Sequence, residues 1–161
     1  MQKTWSSLVN KNFNEAAINY NESALIQKST ALKLAKICSH HPIKNGFWVD
    51  LGTGTGLLAK SLEDLHPNQY VLRLDNSKQM IDQNSEKSPK QLWDLNDGLP
   101  KWSNAPSLLA SSFVLHWLDN PQEQLREWFY SLSSEGWIAL AIPIKGSFPE
   151  WYEAAKQADL T

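Results

Sequence analysis

The sequence predicts an α/β fold with a doubly wound, mostly parallel sheet preceded by helices. Three observations carry that reading. From Phe47 onward, short apolar runs alternate with helix-like stretches; three glycines crowd the first run-to-helix turn, VDLGTGTGLLAK at residues 49–60; and acids stand at or near the ends of the first three runs, Asp50, Asp75 and Asp94. Strands separated by helices require right-handed crossovers, and these give a parallel sheet covered on both faces.

Taken in order, the apolar residues Ala16, Ala17, Tyr20, Ala24, Leu25, Leu32, Leu34, Ala35 and Ile37 recur at helical intervals over residues 12–39. The Asn and Ser punctuation at 21–23 divides them, so two helices are expected ahead of the first strand. Five strands follow in FWVDL (47–51), YVLRLD (70–75), QLWDL (91–95), SLLASSFVL (107–115) and WIALAIPI (137–144), with helices after Gly56, Ser77, Pro121 and Ser147. NSEKSPKQ, at 84–91, reads as a polar loop. A chain of 161 residues closes one core. The expected organisation is one domain, with a helical segment at 1–45 and the sheet core at 46–161.

Lys plus Arg number 15 against 17 Asp plus Glu, so no global positive field favours nucleic acid or an anionic membrane. Cys38 is the single cysteine; it can form no internal disulfide and is expected as a buried thiol in a reducing compartment. No metal site is expected. The first ten residues lack an apolar leader core, and no run of 18 apolar residues occurs, so a cytoplasmic protein is expected. The eight tryptophans are expected mostly as core or strand cover.

In a doubly wound sheet, ligands bind at the carboxyl ends of the strands. Gly52, Gly54 and Gly56 there allow a sharp turn and a close backbone approach to a ligand. A dinucleotide fingerprint would need a glycine where Leu57 stands, and no phosphate-loop pattern occurs. Asp75 suits both hydroxyls of a ribose, Asp94 suits an adenine amino group, and Met80 and Leu95 could sandwich the ring. Asp50, beside the glycines, suits a ligand with ammonium and sulfonium charges and opposes a pyrophosphate. S-adenosylmethionine fits these features; NAD fits poorly.

The stretches VDLGTGTG, LDNSKQM, WDLNDGLP and SLSSEGWIALAIP resemble the class I S-adenosylmethionine-dependent methyltransferases. Within them, FNEAAINYNESALIQ (13–27), SSFVLHWLDN (111–120) and IKGSFPEWYEAAKQA (144–158) are similar to the malonyl-acyl-carrier-protein O-methyltransferases of early biotin synthesis. The resemblance implies a Rossmann-like methyltransferase sheet with residues 1–45 as a lid. It also implies a cofactor site made of Gln27, Asp50, Gly52, Thr53, Gly54, Gly56, Asp75, Asn76, Met80, Asp94, Leu95 and Ser111. Tyr20 would be the catalytic residue, orienting the acceptor carboxylate, and His116 and Trp117 would border the substrate without transferring a proton. The family has an acid where this chain has Ser107, and it continues past a point where this chain ends, so the resemblance implies a sheet cut short after the fifth strand and its following helix. Malonyl-loaded acyl-carrier protein is the implied partner. Carrier proteins are acidic, and Lys3, Lys11, Lys28, Lys33, Lys36 and Lys44 supply positive charge near the N-terminal segment. Two other readings stay open: a methyltransferase acting on a quinone or a free carboxylic acid, and a truncated, inactive cofactor-binding domain.

Overall fold

The computed structural model describes residues 5–158. Five strands, β1 (Trp48–Leu51), β2 (Val71–Asp75), β3 (Lys90–Leu92), β4 (Leu108–Ser112) and β5 (Trp137–Ala141), form one sheet in the order β3-β2-β1-β4-β5. Every pairing is parallel. The sheet grows outward from β1 in one direction through β3, then in the other through β4 and β5. This reversal makes the carboxyl ends of β1 and β4 the topological switch point, where a crevice opens.

Three helices precede the sheet: α1 (Trp5–Ala16), α2 (Tyr20–Ser23) and α3 (Leu25–Ser39). The crossovers are α4 (Leu57–Leu65), α5 (Lys78–Asp82) and α6 (Pro121–Ser131), and α7 (Pro149–Gln157) follows β5. Alternation along the strands feeds two cores. Trp48, Val71, Leu108 and Ala110 face Ala31, Ala35 and Cys38 of α3 and Leu58, Ala59 and Leu62 of α4. Val49, Leu51, Leu74 and Leu109 face the opposite side, where Leu115, from the 3-10 turn after β4, and Trp128 of α6 are buried with them. Burying each of the Leu and Val side chains contributes about 1.5–3 kcal/mol. One buried ion pair ties the layers: Arg73 on β2, with 4% of its side chain exposed, donates to Glu63 on α4 at 2.7 and 3.0 Å.

The expected strand-helix alternation holds, and the details that differ have local causes. Three helices stand where two were expected. The inward stripe of α1, Ser6, Val9, Asn10, Phe13 and Asn14, is mostly polar, so apolar periodicity did not reveal it. The punctuation at 21–23 itself forms the single turn of α2. The third run pairs only over Lys90–Leu92, because the Asp94 carboxylate accepts from the Asn96 amide at 2.9 Å and turns the chain into a 3-10 turn at Leu95–Asp97. β4 stops at Ser112, where Phe113 takes a left-handed φ of 59°. In the expected polar loop, Asn84 is buried and Lys90 already belongs to β3. Trp48 and Trp128 are core residues as expected, whereas Trp93 and Trp117 line the crevice and Trp5 stacks on Trp117. The side chain of Trp151 lies outside those described.

Candidate active site

The three glycines of the loop serve different ends. Each has positive φ: 68° at Gly52, 55° at Gly54 and 84° at Gly56. A Cβ at Gly52 would lie 2.4 Å from a Val114 methyl, and one at Gly56 would lie 2.0 Å from the Asn84 side-chain oxygen. These two glycines are required by the protein's own packing. A Cβ at Gly54 would meet nothing within 4 Å, so this is the one that leaves space for something else.

Around the loop, backbone donors and carboxylates are matched. The Asp50 Oδ2 accepts from the Thr53 hydroxyl at 2.7 Å and from the Ala59 amide at 3.1 Å, in the first turn of α4, where an anion also meets the positive end of the helix dipole. Complete burial pushes the Asp50 carboxyl up to about 6, against the lowering by these bonds and by Arg73. At the tip of β2, the Asp75 carboxylate accepts from the Gly54 amide at 2.7 Å and from the Ser77 amide at 2.8 Å; burial raises its pKa as well. Asn84 completes the cradle by donating its amide to the Gly54 carbonyl at 2.9 Å.

The loop floors a cavity of about 950 Å³, including its solvent-open mouth. Of the expected site residues, Tyr20, Gln27, Asp50, Gly52, Thr53 and Gly54 line it at one end; Asp75, Asn76, Met80, Asp94 and Leu95 line the other, and Trp117 borders it beyond β4. Three expected residues do not line it. Ser111 is turned into the sheet, its hydroxyl donating to the Leu51 carbonyl at 2.8 Å, and Gly56 is occupied by the packing against Asn84. His116 is exposed behind the wall, its ring tilted against Trp117 with centroids 4.7 Å apart. Side-chain alternation explains the first case: Ser112, one residue on, lines the cavity instead, and its buried hydroxyl has no hydrogen-bond partner.

Several lining residues went unread in the sequence. Ser6, Val9 and Phe13 come from α1, Asn96 from the turn after β3, and Phe113, Val114 and Leu118 from the segment after β4. Phe13 stands edge-on to Trp117, with centroids 6.0 Å apart, and to Tyr20 at 6.3 Å. Its place in the FNEAAINY stretch was the available signal, but nothing in the spacing said which face it would occupy. Burial, and then the charge of Asp75, raise the pKa of Tyr20, so its phenol stays protonated. Among the described residues no group of three or more His, Cys, Asp or Glu could hold a metal ion.

The parallel sheet with a switch-point crevice, holding a bare glycine, the buried Asp50 carboxylate and the half-buried Asp75 carboxylate and lined by Met80 and Leu95, defines an α/β protein with its ligand crevice at the strand ends. Residues 49–140 match the family model described as a methyltransferase domain, and the chain belongs to that family of S-adenosylmethionine-dependent proteins. The chain is 27% identical to malonyl-[acyl-carrier protein] O-methyltransferase of Alcanivorax borkumensis over 156 residues, covering 93% of this chain and 52% of that protein. With the protein of the same name from Bacillus cereus it shares 26% identity, covering 94% and 58%. Trans-aconitate 2-methyltransferase of Mycobacterium tuberculosis is 32% identical over 111 residues, covering 68% and 41%. The chain thus spans about half the length of the curated relatives it matches. Among solved structures, the plantazolicin methyltransferase BpumL in complex with a pentazolic desmethylPZN analog and SAH superimposes with a TM-score of 0.70 at 16% identity, covering 93% of this chain and 60% of that one. The DhpI-SAM-HEP complex gives 0.67 at 17% identity, covering 96% and 70%.

Proposed function

We propose that the chain binds S-adenosylmethionine across the glycine loop and the tips of β2 and β3, and transfers its methyl group to a carboxylate, that of a malonyl thioester on acyl-carrier protein. This would place it in the cytoplasm, early in biotin synthesis. Asp75 would accept from the ribose hydroxyls and Asp94 from the adenine amino group, with the ring between Met80 and Leu95. The methionine end would lie over Gly52, Thr53 and Gly54, near Gln27 and Asp50.

The acceptor end carries the reading. Among the described residues it is lined by Phe13, Phe113, Val114, Trp117 and Leu118 and by the hydroxyls of Tyr20 and Ser112, with no imidazole or amine. A nucleophile that must lose a proton would find no base there. A carboxylate is already ionised at neutral pH and needs none. Its oxygen forms the new C–O bond as the C–S bond breaks, and the sulfonium leaves as a neutral thioether with no proton moved. The protein's contribution is alignment and the exclusion of water by the aromatic wall. The Tyr20 phenol can donate to the acceptor oxygen that does not react.

The carrier is supported by the outer face of α3. Of the six lysines expected to form a basic face, Lys3 lies outside the described residues, Lys11 pairs with Glu15 at 3.4 Å, and Lys44 pairs with Glu135. Lys28, Lys33 and Lys36 remain on α3, exposed beside Leu25, Ile26, Leu32 and Ile37, and the helix contains no acid. An apolar stripe set with cations suits an acidic protein surface. A free polycarboxylate such as trans-aconitate is the second reading, favoured by the 32% identity over 111 residues. The test incubates the protein with S-adenosylmethionine and, separately, malonyl-loaded carrier and trans-aconitate, reading a gain of one methylene mass on the acceptor. Methylation of the carrier-bound malonyl group supports the proposal; methylation of trans-aconitate alone transfers it to the second reading.

A further inference from the structure

The helix that supplies Phe13 to the acceptor wall is attached in an unusual way. α1 buries no residue fully. Its seat is instead a run of side-chain amides that leads to the nucleoside end of the cavity. The Ser77 hydroxyl donates to Asn14 Oδ1 at 2.7 Å, Asn14 Nδ2 donates to Asn10 Oδ1 at 2.7 Å, and Asn10 Nδ2 donates to the Asn76 carbonyl at 2.8 Å. Asn76 Nδ2 continues to Asp94 Oδ2 at 3.2 Å; Asp94 Oδ1 accepts from Asn96, whose amide reaches back to Ser6 on α1 at 3.3 Å. The chain leaves α1, passes through the tips of β2 and β3, and returns to α1.

Two consequences follow from the positions of these groups. Asn76, Asp94 and Asn96 line the cavity beside the slot for the nucleoside, so a ligand there touches the same side chains that hold the helix. Phe13 lies between Asn10 and Asn14 in sequence and meets Trp117 and Tyr20, while Trp5 stacks on Trp117 at 5.9 Å, so the same helix supplies one residue of the acceptor wall and packs against a second. No residue of α1 is fully buried, so the hydrogen-bonded run carries much of its attachment, and elements with few fully buried apolar side chains are those that open locally at low cost.

We infer that Asn10 and Asn14 are positioning residues that couple occupancy of the nucleoside end to the seating of α1, and through Phe13 to the acceptor wall. The inference rests on the cofactor placement proposed above. By linkage, whatever the nucleoside adds to the seating of α1 the seated helix returns to cofactor affinity, and couplings of this kind commonly amount to roughly 5–150-fold.

The test follows amide hydrogen exchange of residues 5–16 with and without S-adenosylhomocysteine, alongside calorimetric affinity for that ligand and thermal unfolding. In the parent chain the ligand should slow exchange of α1 by about tenfold, within that coupling range. In the Asn10→Ala, Asn14→Ala double variant, α1 should exchange fast in both states, while β1 and β4 keep their protection and the unfolding temperature holds. Asn14→Asp keeps the acceptor for Ser77 and should retain part of the ligand-induced slowing, which a merely helix-stabilising asparagine would not show. Equal ligand protection of α1 in the double variant overturns the coupling. So does fast exchange of α1 in a parent chain that nonetheless binds the ligand. Absence of binding to the parent, read by calorimetry, would instead remove the cofactor placement itself.

Discussion

Replacing Gly54 by alanine separates a glycine kept for a ligand from one kept for the fold. A side chain at φ 55° pays the left-handed penalty of about 1–2 kcal/mol, but its Cβ meets no protein atom within 4 Å. For a chain of this size that corresponds to a fall in unfolding temperature of roughly 2–8 °C. The amide of residue 54 still reaches Asp75, so the loop keeps its shape. Gly52→Ala is the control: its Cβ would collide with two Val114 methyls at 2.4 and 2.6 Å, adding about 1–3 kcal/mol of overpacking to the same backbone cost. Titration of S-adenosylhomocysteine into each variant by calorimetry, with circular dichroism to check folding, reads the difference. Gly54→Ala should stay folded and lose affinity by tenfold or more, about 1.4 kcal/mol, and Gly54→Val should abolish binding. Unchanged affinity in a folded Gly54→Ala protein would refute the account of the loop as a cofactor floor.

Three further outcomes are expected. Burial pushes the Asp50 carboxyl from an ordinary 3.8 up to about 6, so the folded state holds the proton more tightly; this group's contribution to stability is fully present below pH 3.8 and is lost, by about 3 kcal/mol, as the pH rises through 6. Denaturant midpoints measured across pH 4–7 should therefore fall less steeply in Asp50→Asn than in the parent, and parallel slopes would contradict the assignment. Tyr20→Phe should lower the rate of methyl transfer by about tenfold without changing cofactor affinity, since only the acceptor loses a hydrogen bond; equal kcat values would remove Tyr20 from the chemistry. Glu63→Ala strands the buried Arg73 guanidinium and frees the Val71 amide, and should cost about 3 kcal/mol by urea denaturation, with a loss under about 1 kcal/mol contradicting the role of the pair.

The strands and crossovers were legible because burial writes itself into sequence: β1 and β4 are buried over nearly their whole length and open on consecutive apolar residues, Trp48 and Val49 in one and Leu108, Leu109 and Ala110 in the other. The acids Asp50, Asp75 and Asp94 were legible because a strand tip in such a sheet has one place to point. What escaped was set by side-chain direction and long-range pairing. Ser111 and Ser112 are chemically identical, and only the phase of the pleat decides which of them lines the cavity. The helical stripe of α1 is held by asparagines to residues more than 60 positions away, so no local apolar period announces it. Asn84 looked like loop polarity, yet its amide supports the glycine turn from 30 residues off. Gly52 and Gly56 looked like Gly54, and only Val114 and Asn84 distinguish them.

The central claim, that the switch-point cavity is a cofactor site divided between a nucleoside end and an aromatic acceptor end, is tested most directly by a crystal structure of the protein grown with S-adenosylhomocysteine. The account expects both ribose hydroxyls on the Asp75 carboxylate, the adenine between Met80 and Leu95 with its amino group toward Asp94, and the thioether sulfur directed at Phe13, Tyr20 and Trp117. A ligand bound elsewhere, or one lying in the cavity with its nucleoside at the aromatic wall, would contradict it.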